Sequence, residues 1–326
     1  MGPNLARNFS LQPGCRLASI CDLDPKKLEQ AARHYPQSKV TLDYNDLLSS
    51  PEIDVILIAT PVWSHFELAR KALEAGKDIF VEKPFTTNSS EAEQLVALAE
   101  SKGRIIAVDH TFLYTGAVQK LKTLVEDGDI GDLVYIDSVR INLGLFQQDV
   151  NVLFDLAPHD LSIISYLTRR DPVSVQAMGM RIGSAEQEST VYLHLEYDDG
   201  IIAHCHLSWL SPMKMRQMLI CGTNKMVVYD DVEPSEKVRV YDKGIVMQQQ
   251  IDEGTRNKLI VDYRLGDMLA PKLEHREALA VEAQQFLNCV RDRTPPLSDG
   301  KFGLKIMKQI EACQASIEQS GLKVKV

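Results

Sequence analysis

The chain lacks any apolar run that approaches the length of a membrane span, and Arg7, Asn8 and Gln12 interrupt the opening stretch where a secretory leader would need its apolar core. Cysteine is scarce: six in 326 residues, at positions 15, 21, 205, 221, 289 and 313, with no C-x-x-C pair. That excludes a disulfide-stapled scaffold and leaves reduced, mostly buried thiols of a cytoplasmic protein. Positive charge is in deficit, with 36 Lys and Arg against 45 Asp and Glu and a net charge of -9, which argues against nucleic acid or an anionic membrane as a partner. There is no low-complexity segment, no repeat at solenoid period and no G-x-S-x-G nucleophile motif. His204-Cys205-His206 puts two histidines on one strand face, but no third and fourth ligand follows at usable spacing. The pair reads as alternating sheet residues, and no metal is expected.

What the chain does have is the alternation of an α/β protein. Its length exceeds one comfortable core, so two domains are expected. Strand-like Arg16 to Cys21, Lys39 to Thr41, Ile53 to Thr60, Asp78 to Val81 and Arg104 to Val108 alternate with helical spacing over Lys26 to His34, Tyr44 to Leu48, Ser64 to Ala75 and Ser90 to Lys102. The run from Ile53 is apolar on both parities, as in strands buried on both faces of a parallel sheet. This predicts a doubly wound sheet over residues 1–112. Beyond Leu113 the pattern changes to helices at Ala117 to Asp127 and Asn151 to Leu167. Strands at Leu133 to Leu143, Ser174 to Met180, Thr190 to Tyr197, Ile201 to Trp209, Lys214 to Cys221, Lys225 to Tyr229 and Lys237 to Tyr241 are separated by turn signals. Residues 113–326 therefore predict a second α/β domain on a large, mostly antiparallel sheet. Tyr263 to Pro271 reads as a loop, and helices near Glu274 to Asp292 and Gly303 to Gln319 close that domain.

The most informative stretch is Asp78-Ile79-Phe80-Val81-Glu82-Lys83-Pro84. A buried strand stops at a charged pair and a proline that holds Lys83 out of helix geometry. Lys83 thus sits at the carboxyl edge of the sheet, where ligands of open α/β folds bind. Together with Gly2-Pro3-Asn4, Cys21-Asp22-Leu23-Asp24-Pro25, Ala59-Thr60-Pro61 with His65, and Asp155-Leu156-Ala157-Pro158-His159-Asp160, the chain resembles the Gfo/Idh/MocA oxidoreductases along nearly its whole length. The resemblance implies a Rossmann domain, then an α/β domain whose open sheet carries substrate and mediates homodimers or homotetramers. It also implies hydride transfer between NAD(P) and a sugar, cyclitol or sugar nucleotide. Arg140 to Gly144 and Ser208 to Pro212 look most like members that act on nucleotide sugars of the UDP-N-acetyl-hexosamine type.

One part of the pattern is missing. The G-x-G-x-x-G fingerprint should follow a first strand, and here Gly2 stands as its last glycine. In the Rossmann order that strand lies centrally, so the strands beginning at Arg16 and Ile53 are expected to flank a gap of about 10 Å, or to close up over it. A start codon placed too late, or a fragment, is the expected origin, and the chain as it stands is expected to bind cofactor weakly.

Asp22, twenty residues after Gly2, is placed to accept hydrogen bonds from an adenosine ribose and to repel a 2′-phosphate, favouring NAD over NADP. The alternative is a local turn before Pro25. By resemblance, Gly2, Pro3, Asn4, Thr60, Pro61, His65, Glu82 and Lys83 line the cofactor. Oxidising an alcohol needs a base for the hydroxyl proton and a cation beside the developing alkoxide. His159 suits the first and Lys83 the second, while Asp155, four residues before His159 on one helix face, orients a sugar hydroxyl. Tyr114, Arg140, Asn142, Asn151, Trp209, Lys214 and Arg216 are substrate candidates, the cations as diphosphate clamps and Trp209 as a stacking ring. Trp209 as a core residue and Arg140 as a plain strand residue stay open. Asp109 and Thr115-Gly116 depart from what is common among such proteins. A non-catalytic ligand-binding protein on the same fold and a nicotinamide-using glycosidase are the competing readings.

Overall fold

The structure, a computed structural model, describes residues 2–144, 150–250 and 258–326, with main chain only at 245–250 and 258–263. It divides into two compact units, Met1–Tyr114 with Arg276–Glu311, and Thr115–His275 with Ala312–Val326.

The first unit opens with helix α1 (Gly2–Ser10), then β1 (Ser19–Cys21), α2 (Pro25–His34), β2 (Lys39–Thr41), α3 (Tyr44–Ser49), β3 (Val55–Ile58), α4 (His65–Glu74), β4 (Asp78–Val81), α5 (Ser89–Lys102) and β5 (Ile106–Val108). Side chains start the helices where the sequence offers them. Asp24 accepts from the Lys26 amide, Asp43 from Asn45 and Asn88 from Glu91, each satisfying a main-chain donor that the helix leaves orphaned. Strands β3, β4 and β5 pair in parallel, and β1 pairs in parallel with β2. The two sheets do not join: among the described residues no strand pairs with both β1 and β3, so the expected interruption of the doubly wound sheet is present.

The second unit contains α6 (Gly116–Glu126), β6 (Leu133–Leu143), α7 (Val152–Thr168), β7 (Ser174–Met180), β8 (Thr190–Glu196), β9 (Ile202–Ser208), β10 (Leu210–Gly222), β11 (Met226–Asp230), β12 (Val238–Gln250) and β13 (Lys258–Leu269). They form a nine-stranded sheet in the order β13-β12-β11-β10-β6-β9-β8-β7-β14, where β14 is Val324–Lys325. All its pairings are antiparallel except β6 with β9. Gly116 follows the helix cap Thr115 and has no room for a side chain, since a Cβ there would meet the Glu274 carbonyl oxygen at 2.2 Å.

Two expectations are corrected. The stretch from Tyr263 to Pro271 is not a loop: β13 runs to Leu269, because β12 continues past Tyr241 and supplies it with a ladder partner. The closing helices also do not both belong with residues 113–326. Helix α8 (Ala278–Asp292) and residues 300–311 of α9 (Gly300–Glu318) fall in the first unit. The reason is packing. Leu279, Ala283 and Phe286 form a helical stripe that joins Leu5, Phe9, Phe80 and Ala107 in one core. Phe9, Phe80 and Phe286 meet edge to face with centroids 5.2 to 6.1 Å apart. Arg7 and Asn8 of α1 hold Glu277, just before α8, and Arg293, just after it, pairs with buried Asp78 at 2.7 Å. Of the six cysteines, four are buried and none is bonded to another.

Candidate active site

In the first unit, α1 begins at Gly2 with Pro3, which has no amide hydrogen to leave unpaired, and carries no acidic side chain in its first turn. Its remaining amides and the positive end of its dipole are fit to meet a phosphate. A Cβ on Gly2 would touch only the Ala59 Cβ at 3.8 Å, and Pro3 and Asn4 are exposed. Asp22 ends β1. Its Oδ1 accepts from the Asp24 amide at 2.9 Å, so the local turn is real, while Oδ2 stands 3.7 Å from the Lys27 ammonium and stays accessible to a ribose hydroxyl. The dinucleotide groups that these residues fit are thus a phosphate and an adenosine ribose.

Thr60 and Pro61 are exposed after β3, and the Thr60 hydroxyl accepts from Ser64 at 2.7 Å. His65 differs from its expected role. It is 1 % exposed, with Nδ1 3.0 Å from the Pro84 carbonyl and Nε2 2.8 Å from that of Thr60. Burial lowers its pKa, so the neutral ring donates to one carbonyl at a time and braces the segment after β3 against the one after β4. Lys83 is half-buried just past β4, and the Lys83-Pro84 peptide is cis.

Beside Lys83 lies a cluster that the sequence named in part, Glu82 as a cofactor contact and Asp109 as a departure, but did not assemble. Glu82, Asp109 and Glu282 are all buried, and the Asp109 carboxyl lies against both glutamates. Oε1 of Glu82 and Oδ2 of Asp109 receive no hydrogen bond from a donor, Thr111 lies beside Glu282, and Asp109 Oδ1 accepts from the Thr111 amide and hydroxyl. Burial, then the neighbouring Asp109, pushes Glu82 up to about 8, and the same causes push Glu282 well above the usual carboxylate range. Each glutamate therefore keeps its proton and can donate it toward Asp109. The legible signal was Glu282 itself, a carboxylate inside the apolar stripe of α8. Tyr114 is 5 % exposed and its hydroxyl meets Ser298 Oγ at 3.0 Å, so it is a core residue and not a substrate contact.

In the second unit, Asn151 starts α7. Its Oδ1 accepts from the Phe154 amide at 3.1 Å and its amide donates to Glu188 and Gln314 at 2.8 and 2.9 Å. All of its polar capacity faces protein, and the expectation of a substrate contact is corrected to a helix cap. One turn on, Asp155 and His159 lie half-buried on one face, with Pro158 removing a main-chain donor from the turn between them. Trp209 does not stack on a ligand: it is 2 % exposed, and its indole nitrogen donates to Asp155 Oδ2 at 3.1 Å. The sequence named both residues but not the bond, because the turn from β9 to β10 that aims the indole is a tertiary feature. Asn142, half-buried, crowds the same place: a Cβ on Gly144 would meet the Trp209 ring at 3.0 Å and the Asn142 amide at 3.2 Å.

Arg140 is corrected from clamp to core. It is 3 % exposed, with Nε 2.6 Å from Asp160 Oδ2, and Ser138 donates to the other carboxylate oxygen at 2.8 Å. Ile136, Ser138 and Arg140 share one parity of β6, so the inward face was legible even though the charge argued against it. Arg216 pairs with Asp231 at 3.4 Å, while Lys214 is exposed beside a shallow groove of about 270 Å³ lined by Met213, Met215, Gln217 and Val232. The expected candidates thus sort into Asp155, His159, Trp209 and Asn142 together on one unit, and Gly2, Asp22, Thr60, Glu82 and Lys83 at strand and helix ends of the other.

A parallel α/β unit with a bare helix start and a carboxylate at a neighbouring strand end, followed by a unit on a large antiparallel sheet, defines a dinucleotide-binding oxidoreductase. Comparison with known proteins agrees. Residues 1–110 match an oxidoreductase family with an NAD-binding Rossmann fold, residues 118–228 match the GFO/IDH/MocA C-terminal domain, and the chain belongs to the Gfo/Idh/MocA family. It is 27 % identical over 271 residues to UDP-N-acetylglucosamine 3-dehydrogenase of Acidithiobacillus ferrooxidans, covering 82 % of this chain and 80 % of that one. It is 26 % identical over 307 residues to the NAD-dependent scyllo-inositol 2-dehydrogenase of Bacillus subtilis, covering 88 % and 82 %. The inositol dehydrogenase homologue of Azotobacter vinelandii, solved with NADH and myo-inositol, superposes with a TM-score of 0.80 over 99 % of this chain and 93 % of that one, at 18 % identity, a likeness of fold.

Proposed function

We propose that the protein is an NAD-dependent dehydrogenase that oxidises a secondary hydroxyl of a sugar, and that its substrate is a nucleotide sugar of the UDP-N-acetyl-hexosamine type oxidised at C3. A cyclitol or free sugar is the alternative substrate. The observation that carries the reading is the pair Asp155 and His159 on one face of α7, with the Asp155 carboxylate held by the Trp209 indole, in a chain whose two halves match the family. The nicotinamide, when bound, supplies the hydride acceptor. Gly2 and the amides of α1 hold its phosphates, Asp22 Oδ2 accepts from the adenosine ribose, and the negative charge of Asp22 opposes a 2′-phosphate, which selects NAD over NADP. Thr60 and Pro61 border the cofactor, and Glu82, protonated beside Asp109, adds no charge next to Lys83.

His159 takes the hydroxyl proton, Lys83 stabilises the alkoxide as it forms, and Asp155 accepts a hydrogen bond from a neighbouring hydroxyl and fixes which carbon faces the acceptor. Lys214 remains as a cation for a diphosphate, with Asn142 a polar contact. The residue ranges 1–112 and 113–326 describe the cofactor and substrate parts, with α8 returning to the first. A homodimer or homotetramer through the open face of the nine-stranded sheet and a cytoplasmic location complete the reading.

The test is spectrophotometric: reduced nicotinamide formed from NAD against a panel of nucleotide sugars, free sugars and cyclitols. His159→Asn and Lys83→Met, each folded by circular dichroism, are expected to lose about 10² to 10⁴ in kcat. No turnover with any member of the panel, under conditions where calorimetry shows NAD bound, refutes the reading. It favours instead a ligand-binding protein on the same fold.

A further inference from the structure

The sheet face that α8 covers in the first unit changes character at its carboxyl end. Phe80 on β4 and Ala107 on β5 point into the core shared with Ala283 and Phe286. The two strands pair with Val81 opposite Val108, and the ladder runs one residue past each: the Glu82 amide donates to the Ile58 carbonyl at 2.9 Å and the Asp109 amide to that of Val81 at 2.8 Å. Side chains two residues apart on a strand share a face, so Glu82 and Asp109 follow Phe80 and Ala107 toward α8. On that helix Leu279, Glu282, Ala283 and Phe286 stand at i, i+3, i+4 and i+7, which puts Glu282 in the stripe that meets them. Strand parity and helical period thus bring three carboxyl groups into a layer where apolar side chains would otherwise pack, each 6 % exposed or less.

A dry layer does not hold three like charges side by side. Asp109, which takes the Thr111 amide and hydroxyl as donors, is the acceptor, and Glu82 and Glu282 reach it as acids. One negative charge and two acid donors therefore tie the end of β4 and the middle of α8 to the end of β5. His110, the next residue, is buried and adds no charge, since burial and then Lys83 lower it to about 3. Lys83 is the residue on which this clamp ends. Its ammonium acts on both the Glu82 carboxyl and the His110 ring. On its other side the Pro84 carbonyl stands 3.0 Å from Nδ1 of buried His65. Both chain neighbours of Lys83 are thus held by buried groups, and one of those groups arrives on α8. An apolar layer would pack as well. What the carboxyl groups add is direction, because a satisfied hydrogen-bond network fixes the orientation of a strand end where apolar contact alone does not.

We propose that Glu282 is a positioning residue for Lys83: through Asp109 and Glu82 it fixes where the segment after β4 places the ammonium. The inference rests on the catalytic role proposed for Lys83, but the placement itself is measurable without turnover.

Two variants of the full chain test it. Glu282→Gln keeps the shape and a donor toward Asp109, whereas Glu282→Leu fills the space and donates nothing; where circular dichroism shows the leucine variant unfolded, Glu282→Ala takes its place. In protein labelled with ¹⁵N-lysine, the Lys83 amide resonance, assigned by its loss in Lys83→Arg, is expected to shift in Glu282→Leu and to stay in place in Glu282→Gln. The resonance of Lys77, before the other end of β4, is expected to stay in place in both. With a sugar substrate, Glu282→Leu is expected to lose about 10- to 100-fold in kcat with KM little changed, and Glu282→Gln to keep most of its kcat. A Lys83 resonance that stays in place in the leucine variant, or that moves as far in the glutamine variant, overturns the proposal and leaves the dehydrogenase reading standing. So does a folded Glu282→Leu with unchanged kcat. Absence of turnover in the unmutated protein counts against the dehydrogenase reading instead, and the Lys83 resonance then decides the placement by itself.

Discussion

Replacing Glu82 by glutamine isolates the charge carried by the buried carboxyl group beside Lys83. The unfolded chain releases the Glu82 proton near the ordinary value of 4.5, whereas the folded chain holds it up to about 8, because burial and then Asp109 oppose the charge. Folding therefore takes up a proton between those values, and its contribution to stability is greatest in acid and falls as pH rises through the window. At 1.36 kcal/mol per unit, the part lost between pH 4.5 and pH 8 is about 4 kcal/mol. Glu282, shifted in the same direction, steepens the fall in the wild type and persists in the variant. Glutamine keeps the shape and a donor toward Asp109 but has nothing to ionise. Urea unfolding by circular dichroism at pH 4.5, 6 and 8 should thus show the stability of Glu82→Gln relative to wild type rising by about 4 kcal/mol across the series. A difference that stays constant within about 1 kcal/mol over that range would refute the reasoning.

Arg140→Met should lower unfolding stability by about 3 to 5 kcal/mol, since it leaves Asp160 buried without its cation, and urea denaturation reads this. A substrate clamp at this position would instead raise KM and leave stability intact. Trp209→Phe keeps a ring in the core but removes the donor to Asp155. A loss of about 1.5 to 3 kcal/mol in the hydrogen bond corresponds to roughly tenfold or more in kcat/KM, with the fold retained. An unchanged kcat/KM would take Asp155 out of the proposed site.

How far the chain could be read depended on whether the signal was local. The apolar run from Ile53 became β3, and Leu133–Leu143 is β6 as expected, because two-sided burial and clean alternation are written into consecutive residues. Asp24 became a helix cap for the same reason. β13 was missed because its strand character comes from β12 alongside it, and α8 was misassigned because an amphipathic stripe does not say which core it completes. Among the site candidates, the shared helix face of Asp155 and His159 was legible from a four-residue spacing. Arg140, Asn151 and Tyr114 failed because a polar side chain in a sequence carries no mark of its partner. Asp160, Glu188 and Ser298 are 20, 37 and 184 residues away, and they turned apparent ligand contacts into internal ones.

The sequence by itself determined the family, the alternation of strand and helix, the lysine at the end of β4 and the carboxylate–imidazole turn of α7. Each rests on near neighbours in the chain, where backbone geometry alone fixes the spacing. Tertiary structure alone decided that α8 returns to the first unit, that Trp209 serves Asp155, and that Glu82, Asp109 and Glu282 share one dry place. These depend on which distant residues burial and strand pairing bring within a few ångströms, and no local pattern encodes that choice.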